Sequence, residues 1–443
     1  MNIKLQSNIF NSKVCVVPGD KSISQRAIIL ASIAEGVSTI DNFLFAGDPI
    51  STLKALSKLG VKYTITTENL LLIEGVGLYG LKASDGTLDL GNSGTGMRLM
   101  AGLLAGQSFN SVLTGDESLS IRPMQRVVTP LEIMGANISS NNGCAPLTIK
   151  RRKGLLKAIN YKLPVDSAQL ESCLLLAALY ADGASKIISK QSLRNHTLNL
   201  FNVFNLNYKV ESLDSVYKEI SINPTEKLTS AKIKIPGDIS SAVFLIVACL
   251  ISKNSKLKLL DVGINSTRTG AIDVLKLMGA RINFENVREM NGEKVADILV
   301  ASSSLVGVNI PTEYVLRVID EIPIILIAAS CAMGKTTVKG AKELRYKESD
   351  RITAMSKGLS TLGITVKEFS DGIEVEGGTL LGGCVDSYSD HRIAMSFVIA
   401  SFAAKEDIII KDCKNILTSF PSFLTEVKKL GACFVEEEDL IEV

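Results

Sequence analysis

The 443-residue sequence is poor in several features that mark whole protein classes. It has two histidines, His196 and His391, far apart along the chain, so a metal site built on histidine is not expected. Eight cysteines (Cys15, Cys144, Cys173, Cys249, Cys331, Cys384, Cys413 and Cys433) lie scattered, with no CxxC pair. Several sit in apolar helical runs, where cysteine behaves as a small hydrophobe, and reduced structural thiols are expected. An excess of one charge is missing too: 48 Lys+Arg against 46 Asp+Glu leave a formal +2. No nucleic-acid partner is indicated, although a local basic pocket is compatible with that balance. Mean hydropathy is +0.25, high for a soluble chain. Yet the longest unbroken apolar run, Ala242 to Ile251, is too short to span a bilayer, so no membrane partner is expected. The amino-terminal MNIKLQSNIF has neither a basic-then-apolar signal nor transit-peptide composition. It reads as the start of a strand, and a cytoplasmic location is expected.

What is present is globular composition, 46% apolar and 21% charged with 34 Gly and 11 Pro, and a length that suggests about three domains. Internal repeats change that count. Six segments share a β-like stretch, a turn of Gly, Asp, Asn or Ser, and then an apolar helix rich in Ala and Leu. They begin at Val16, Leu88, Leu163, Ile233, Val318 and Val385. The first helix of each unit is apolar nearly all round and should be buried. A second, amphipathic helix follows and usually ends at a glycine, as in Asp48 to Gly60, Arg122 to Gly135 and Arg268 to Gly279. The others run Asn195 to Asn205, Lys347 to Gly363 and Phe420 to Gly431. Short alternating stretches such as VKYTIT (61–66) and GIEVEG (372–377) predict strands between them. Six like units divide into two sets of three, hence two α/β domains rather than three.

Each buried helix starts at a turn whose free N–H groups and positive dipole end favour anions. Cations gather there: Lys21, Arg26, Arg98 and Arg392, with Arg122, Arg194, Lys347 and Arg351 near the second helices. Taken singly, the motifs have plain explanations. PGDKSISQR (18–26), GNSGTGMR (91–98), DSAQ (166–169) and SDHR (389–392) could each be no more than a helix cap with solvated neighbours. ELRYKESDR (343–351) looks like a charged helix face, with Lys347 and Arg351 four apart on one side and Glu348 beside them. A carboxylate among several cations, Glu348 or Asp320, could exchange a proton under control. GKTT (334–337) resembles a P-loop tail, but Ala329 stands where the earlier glycine is required and the segment follows a helix, so no nucleotide site is assigned. The acidic run Glu436 to Asp439 reads as a solvated terminus.

In this order the motifs PGDKSISQR, GNSGTGMR, SIRPM, DSAQ, RTG, IDE, LRYKESDR, SDHR and SFPSF resemble the 5-enolpyruvylshikimate-3-phosphate synthase family of enolpyruvyl transferases, over nearly the whole chain. The resemblance implies a two-domain inside-out α/β barrel of six βαβαββ repeats, three per domain. One domain would be discontinuous, 1–17 with 236–443, the other 18–235, and the active site would lie in the interdomain cleft. It implies transfer of the enolpyruvyl group of phosphoenolpyruvate to the 5-hydroxyl of shikimate-3-phosphate, with no cofactor and no metal. By the same resemblance Lys21, Ser22, Arg26, Ser167, Ala168, Gln169, Arg194, Asp320 and Lys347 would hold shikimate-3-phosphate. Lys21, Gly94, Arg122, Gln169, Arg351 and Arg392 would hold phosphoenolpyruvate, while Asp320, Glu348 and Lys21 would be catalytic. Ala168 departs from members with a second serine, and Thr418 stands where many carry a lysine. Gly94 leaves room for the inhibitor glyphosate, and the missing lysine should weaken it. A monomer is expected. The alternatives are a sister transferase acting on UDP-N-acetylglucosamine and a catalytically silent binding paralogue.

Overall fold

The computed structural model describes residues 1–437 apart from Ser7, Ile9 and Glu68. Glu438 and Asp439 of the acidic run lie outside the described residues. The chain forms two compact units. One comprises Met1–Pro18, Pro236–Glu289 and Lys294–Val443, the other Gly19–Ile235 with Met290–Glu293. Pro18 falls in the first of these units and the turn Met290–Glu293 in the second.

Each unit is built on three helices sunk in its own hydrophobic cluster. In the 19–235 unit these are Lys21–Ser32, Gly94–Ala105 and Ala168–Ala178; in the other, Ile239–Ile251, Ile322–Ser330 and His391–Ala400. Every residue of Ile322–Ser330, and all of Ile239–Ile251 except Ile251, is buried. A helix without a polar face can persist only where apolar surface surrounds it, which is why these six segments are so rich in Ile, Leu and Ala. Close approach is extreme at Gly102, where an added Cβ would overlap the carbonyl of Cys173 on the neighbouring buried helix.

Six sheets surround these helices, three to a unit. In five of them an outer strand runs parallel to the second strand, as Lys232–Lys234 does to Glu35–Asp41 and Lys13–Val16 to Lys256–Gly263. The sixth, Lys335–Val338, Gly372–Glu376 and Thr365–Phe369, shows at that place the isolated parallel bridges Val306–Met333 and Asn309–Thr337. The strand expected from Val318 is absent, since Thr312–Val318 is a short helix. The segment before the first buried helix, Lys13–Val16, completes a sheet of the opposite unit, and Lys232–Lys234, before the fourth, does the reverse. The strand Asn2–Leu5 lies between Ile408–Lys411 and Phe434–Glu437.

The second helices run Gly47–Lys58, Gln125–Ile133, His196–Val203, Gly270–Leu277, Arg351–Thr361 and Phe423–Lys429. After them Gly60, Gly135, Gly279, Gly363 and Gly431 take φ between 82° and 108°, and Asn205 takes 56°. That left-handed turn is the helix-closing conformation that glycine, and next asparagine, adopts most readily. Among the described residues no helix is long and apolar enough to cross a membrane, and no group of His, Cys, Asp or Glu is placed to hold a metal ion.

Candidate functional site

Five of the six buried helices begin at a side-chain cap. Asp20, Ser93, Ser167, Asp238 and Asp390 accept from the backbone N–H of Ile23, Gly96, Leu170, Ser240 and Arg392. The capping explanation of these motifs is therefore correct as far as it goes. The polar side chains around the caps then fall into two clusters, one in each unit.

In the 19–235 unit, Lys21 Nζ lies 3.1 Å from Asp48 Oδ2, on the Gly47–Lys58 helix. Arg26 points elsewhere: Nε donates to Thr197 Oγ1 at 2.8 Å, Nη2 to Ser172 Oγ at 2.9 Å and Nη1 to the Ser22 carbonyl at 3.0 Å. The side chains of Lys21 and Arg26 are thus directed to different partners. Arg98 Nη1 donates to Gln169 Oε1 at 2.5 Å, and Gln169 Nε2 to Thr95 Oγ1 at 2.8 Å, so two buried helix starts are joined through one amide. Arg122 Nη2 donates to Asn92 Oδ1 at 2.7 Å and to Ser118 Oγ at 3.1 Å. Gly94 faces both guanidinium groups; an added Cβ would stand 3.1 Å from Arg98 Nη1 and 3.3 Å from Arg122 Nη1. Ala168 opens its helix directly after the Ser167 cap. Arg194 is half-buried in the stretch before His196–Val203.

In the other unit the charges are interlocked. Lys347 Nζ lies 3.3 Å and Arg351 Nη1 3.8 Å from Asp320 Oδ1. Arg351 Nη2 is 2.5 Å from Glu348 Oε2, and Arg351 Nε 2.7 Å from Asp390 Oδ2. Burial opposes the Arg351 charge, but Asp390, Glu348 and Asp320 outweigh it and raise the guanidinium pKa above its ordinary value. Arg392 Nη1 lies 3.5 Å from Glu321 Oε1, the same oxygen that accepts from Ser240 Oγ. Arg268 Nη2 donates to Ser240 Oγ at 2.7 Å and lies 3.3 Å from Asp238 Oδ1. One polar network therefore links the starts of all three buried helices of this unit. Thr418, at the end of the short 3-10 helix Cys413–Thr418, turns its hydroxyl back to the Asn415 carbonyl at 2.7 Å.

One expectation needs correction. Lys347 and Arg351 do not share a helix face: Lys342–Tyr346 is a 3-10 helix, Asp350 caps the next helix, and that helix begins at Arg351. A turn, not a helical spacing, delivers both cations to Asp320. Lys347, Arg351, Arg392 and Arg268 of this unit each have a carboxylate partner. Sequence reasoning missed Asp48, Asn92, Thr197 and Glu321. For Glu321 a signal was available, an acid directly ahead of an all-apolar helix; the others are joined to the site by tertiary packing alone.

Two three-helix units ringed by like sheets define the enolpyruvyl transferase architecture. The chain is similar in fold to the enolpyruvyl transferase NikO from Streptomyces tendae, with TM-score 0.78, 14% identity and coverage of 98% of both chains. Within that class the relationship is closer to one family. The model for EPSP synthase (3-phosphoshikimate 1-carboxyvinyltransferase) matches residues 6–427. A 3-phosphoshikimate 1-carboxyvinyltransferase of Coxiella burnetii (strain RSA 331 / Henzerling II) is 47% identical over 428 residues, covering 96% of each chain. The EPSP synthase of Acinetobacter baumannii superposes with TM-score 0.86 at 40% identity, over 98% of this chain and 100% of that one. The chain belongs to the EPSP synthase family.

Proposed function

We propose that the protein transfers the enolpyruvyl group of phosphoenolpyruvate to the 5-hydroxyl of shikimate-3-phosphate and releases phosphate, a step toward chorismate and the aromatic amino acids. The observation that carries this best is the Asp320–Arg351–Glu348 constellation, two carboxylates on one fully buried guanidinium, just ahead of the buried helix Ile322–Ser330 and at the start of the second helix Arg351–Thr361. Asp320 takes the 5-hydroxyl proton as that oxygen attacks the enol carbon, and Glu348 protonates the methylene carbon. Collapse of the tetrahedral intermediate expels phosphate, Glu348 recovers a proton from the new methyl group, and Lys21 assists the leaving phosphate. Ser22, Arg26, Ser167, Ala168, Gln169, Arg194 and Lys347 bind shikimate-3-phosphate together with Lys21 and Asp320. Arg122, Arg351, Arg392, Gly94, Gln169 and Lys21 bind phosphoenolpyruvate, the cations and helix starts meeting its phosphate and carboxylate.

The test is release of phosphate from phosphoenolpyruvate in the presence of shikimate-3-phosphate, with UDP-N-acetylglucosamine as the control acceptor. Turnover with the UDP-sugar instead would assign the sister activity, and inactivity with both would leave a binding protein. We further propose a cytoplasmic monomer, to be checked by fractionation and sedimentation, with intermediate sensitivity to glyphosate. An inhibition constant as tight as that of lysine-bearing relatives would contradict the last point.

A further inference from the structure

Two buried hydroxyls hold one edge of the Arg26 guanidinium. Thr197 Oγ1 accepts from Nε at 2.8 Å, Ser172 Oγ accepts from Nη2 at 2.9 Å, and the two oxygens stand 2.7 Å apart. Arg26, Ser172 and Thr197 are 4%, 2% and 3% exposed. A hydroxyl carries a single proton, which fixes the direction of the bonds between them. Ser172 Oγ lies 2.7 Å from the Ala168 carbonyl, which can only accept, so the serine proton points there. The threonine proton then points to Ser172. One chain of donors results, from Arg26 Nε to Thr197, from Thr197 to Ser172, and from Ser172 to the Ala168 carbonyl.

That chain joins three elements of the 19–235 unit, the helices Lys21–Ser32, Ala168–Ala178 and His196–Val203. Its far end is the first residue of the helix that Ser167 caps, directly ahead of Gln169. Both oxygens on the guanidinium edge are neutral, so these two bonds set its plane without the counter-charge a carboxylate would bring. We propose that Ser172 and Thr197 are positioning residues for the acceptor substrate, fixing the Arg26 guanidinium against the Ser167–Gln169 helix start. On the functional assignment made above, on which this inference rests, both ends of the chain then meet shikimate-3-phosphate already aligned. The cost of ordering a long side chain is met when the protein folds and is removed from binding.

Calorimetric titration with shikimate-3-phosphate tests this. Thr197→Val and Ser172→Ala should each weaken binding by about tenfold, the order expected for one lost hydrogen bond to a charged group. The KM for shikimate-3-phosphate should rise in step, with kcat and the KM for phosphoenolpyruvate within about twofold of wild type. Thr197→Ser keeps the hydroxyl and should restore the affinity. In an Arg26→Lys background, whose ammonium has no such edge, Thr197→Val should weaken binding by less than about twofold. Ser32→Ala removes another buried hydroxyl of the Arg26 helix, bonded to the Ile28 carbonyl at 2.6 Å, and serves as the control. If Thr197→Val does not fold, Ser172→Ala carries the same comparison, since alanine suits a helix interior. Wild-type affinity in a folded Thr197→Val or Ser172→Ala, or an equal loss with and without the Arg26 guanidinium, overturns the proposal. Failure of the wild type to bind shikimate-3-phosphate sinks the functional assignment instead.

Discussion

Arg351 and Asp390 form an ion pair sealed from solvent: Nε meets Oδ2 at 2.7 Å, and the two side chains are 1% and 0% exposed. Removing one member of such a pair leaves a buried charge uncompensated and costs about 3–5 kcal/mol. Asp390→Asn keeps the shape and much of the cap, so it isolates the charge. A loss of about 3 kcal/mol or more is expected from its urea-unfolding midpoint. A change within half a unit of wild type would mean that the pair contributes little to stability.

Glu348→Gln should lower kcat by about 10²–10⁴-fold, the usual contribution of a positioned acid or base. Shikimate-3-phosphate binding, followed by calorimetry, should remain near normal. Near-normal turnover would remove Glu348 from proton transfer.

Gly94→Ala would press a methyl group toward Arg98 and Arg122 at 3.1 and 3.3 Å. Those contacts are with flexible side-chain ends, which can shift, so folding should survive. The KM for phosphoenolpyruvate should rise by about fivefold or more, roughly 1 kcal/mol. Thr418→Lys should tighten glyphosate inhibition, measured in competition with phosphoenolpyruvate. If glyphosate inhibition is no tighter in Thr418→Lys, position 418 does not limit it.

Gly102→Ala meets backbone, not a flexible end, at the Cys173 carbonyl of the neighbouring helix. Overpacking of this kind costs about 1–3 kcal/mol. A lower thermal midpoint is expected, while Gly86→Ala, which meets nothing within 4 Å, serves as the control.

Thiol reactivity should divide the cysteines. Burial pushes Cys173 and Cys413 up to about 12 and Cys249 and Cys331 up to about 11, so their reactive thiolate is scarce at pH 8. Cys384 and Cys433 are exposed. A chromogenic disulfide should therefore modify those two first and reach the buried Cys173, Cys249 and Cys413 only on unfolding. Fast modification of Cys173 in the folded protein would contradict the packing.

The six-fold repeat was legible because its signals are local. An all-apolar helix such as Ile239–Ile251 has no alternative to burial, and Gly60, Gly135, Gly279, Gly363 and Gly431 announce the ends of second helices. The exchanged edge strands were not legible from pattern, since Lys232–Lys234 is three residues long and its partner Glu35–Asp41 lies some two hundred residues earlier. The fifth repeat misled, because its outer strand is reduced to the isolated bridges Val306–Met333 and Asn309–Thr337. In the site, the residues at helix starts could be listed from their motifs, but their partners could not. Asp390 was visible as a cap, whereas its pairing with Arg351 depends on how two helices pack. For the same reason the pairing of Lys21 with Asp48 and of Arg392 with Glu321 could not be listed from the motifs.

The strand Asn2–Leu5 has a consequence for biosynthesis. It leaves the ribosome some four hundred residues ahead of both its partners, Ile408–Lys411 and Phe434–Glu437. Meanwhile nearly all of the unit 19–235 has already emerged and can close its core. The nascent polypeptide thus carries a strand of Ile and Leu with both of its edges unpaired until those later segments are made. Its assembly must be completed out of order, by inserting Asn2–Leu5 between two strands made long after it.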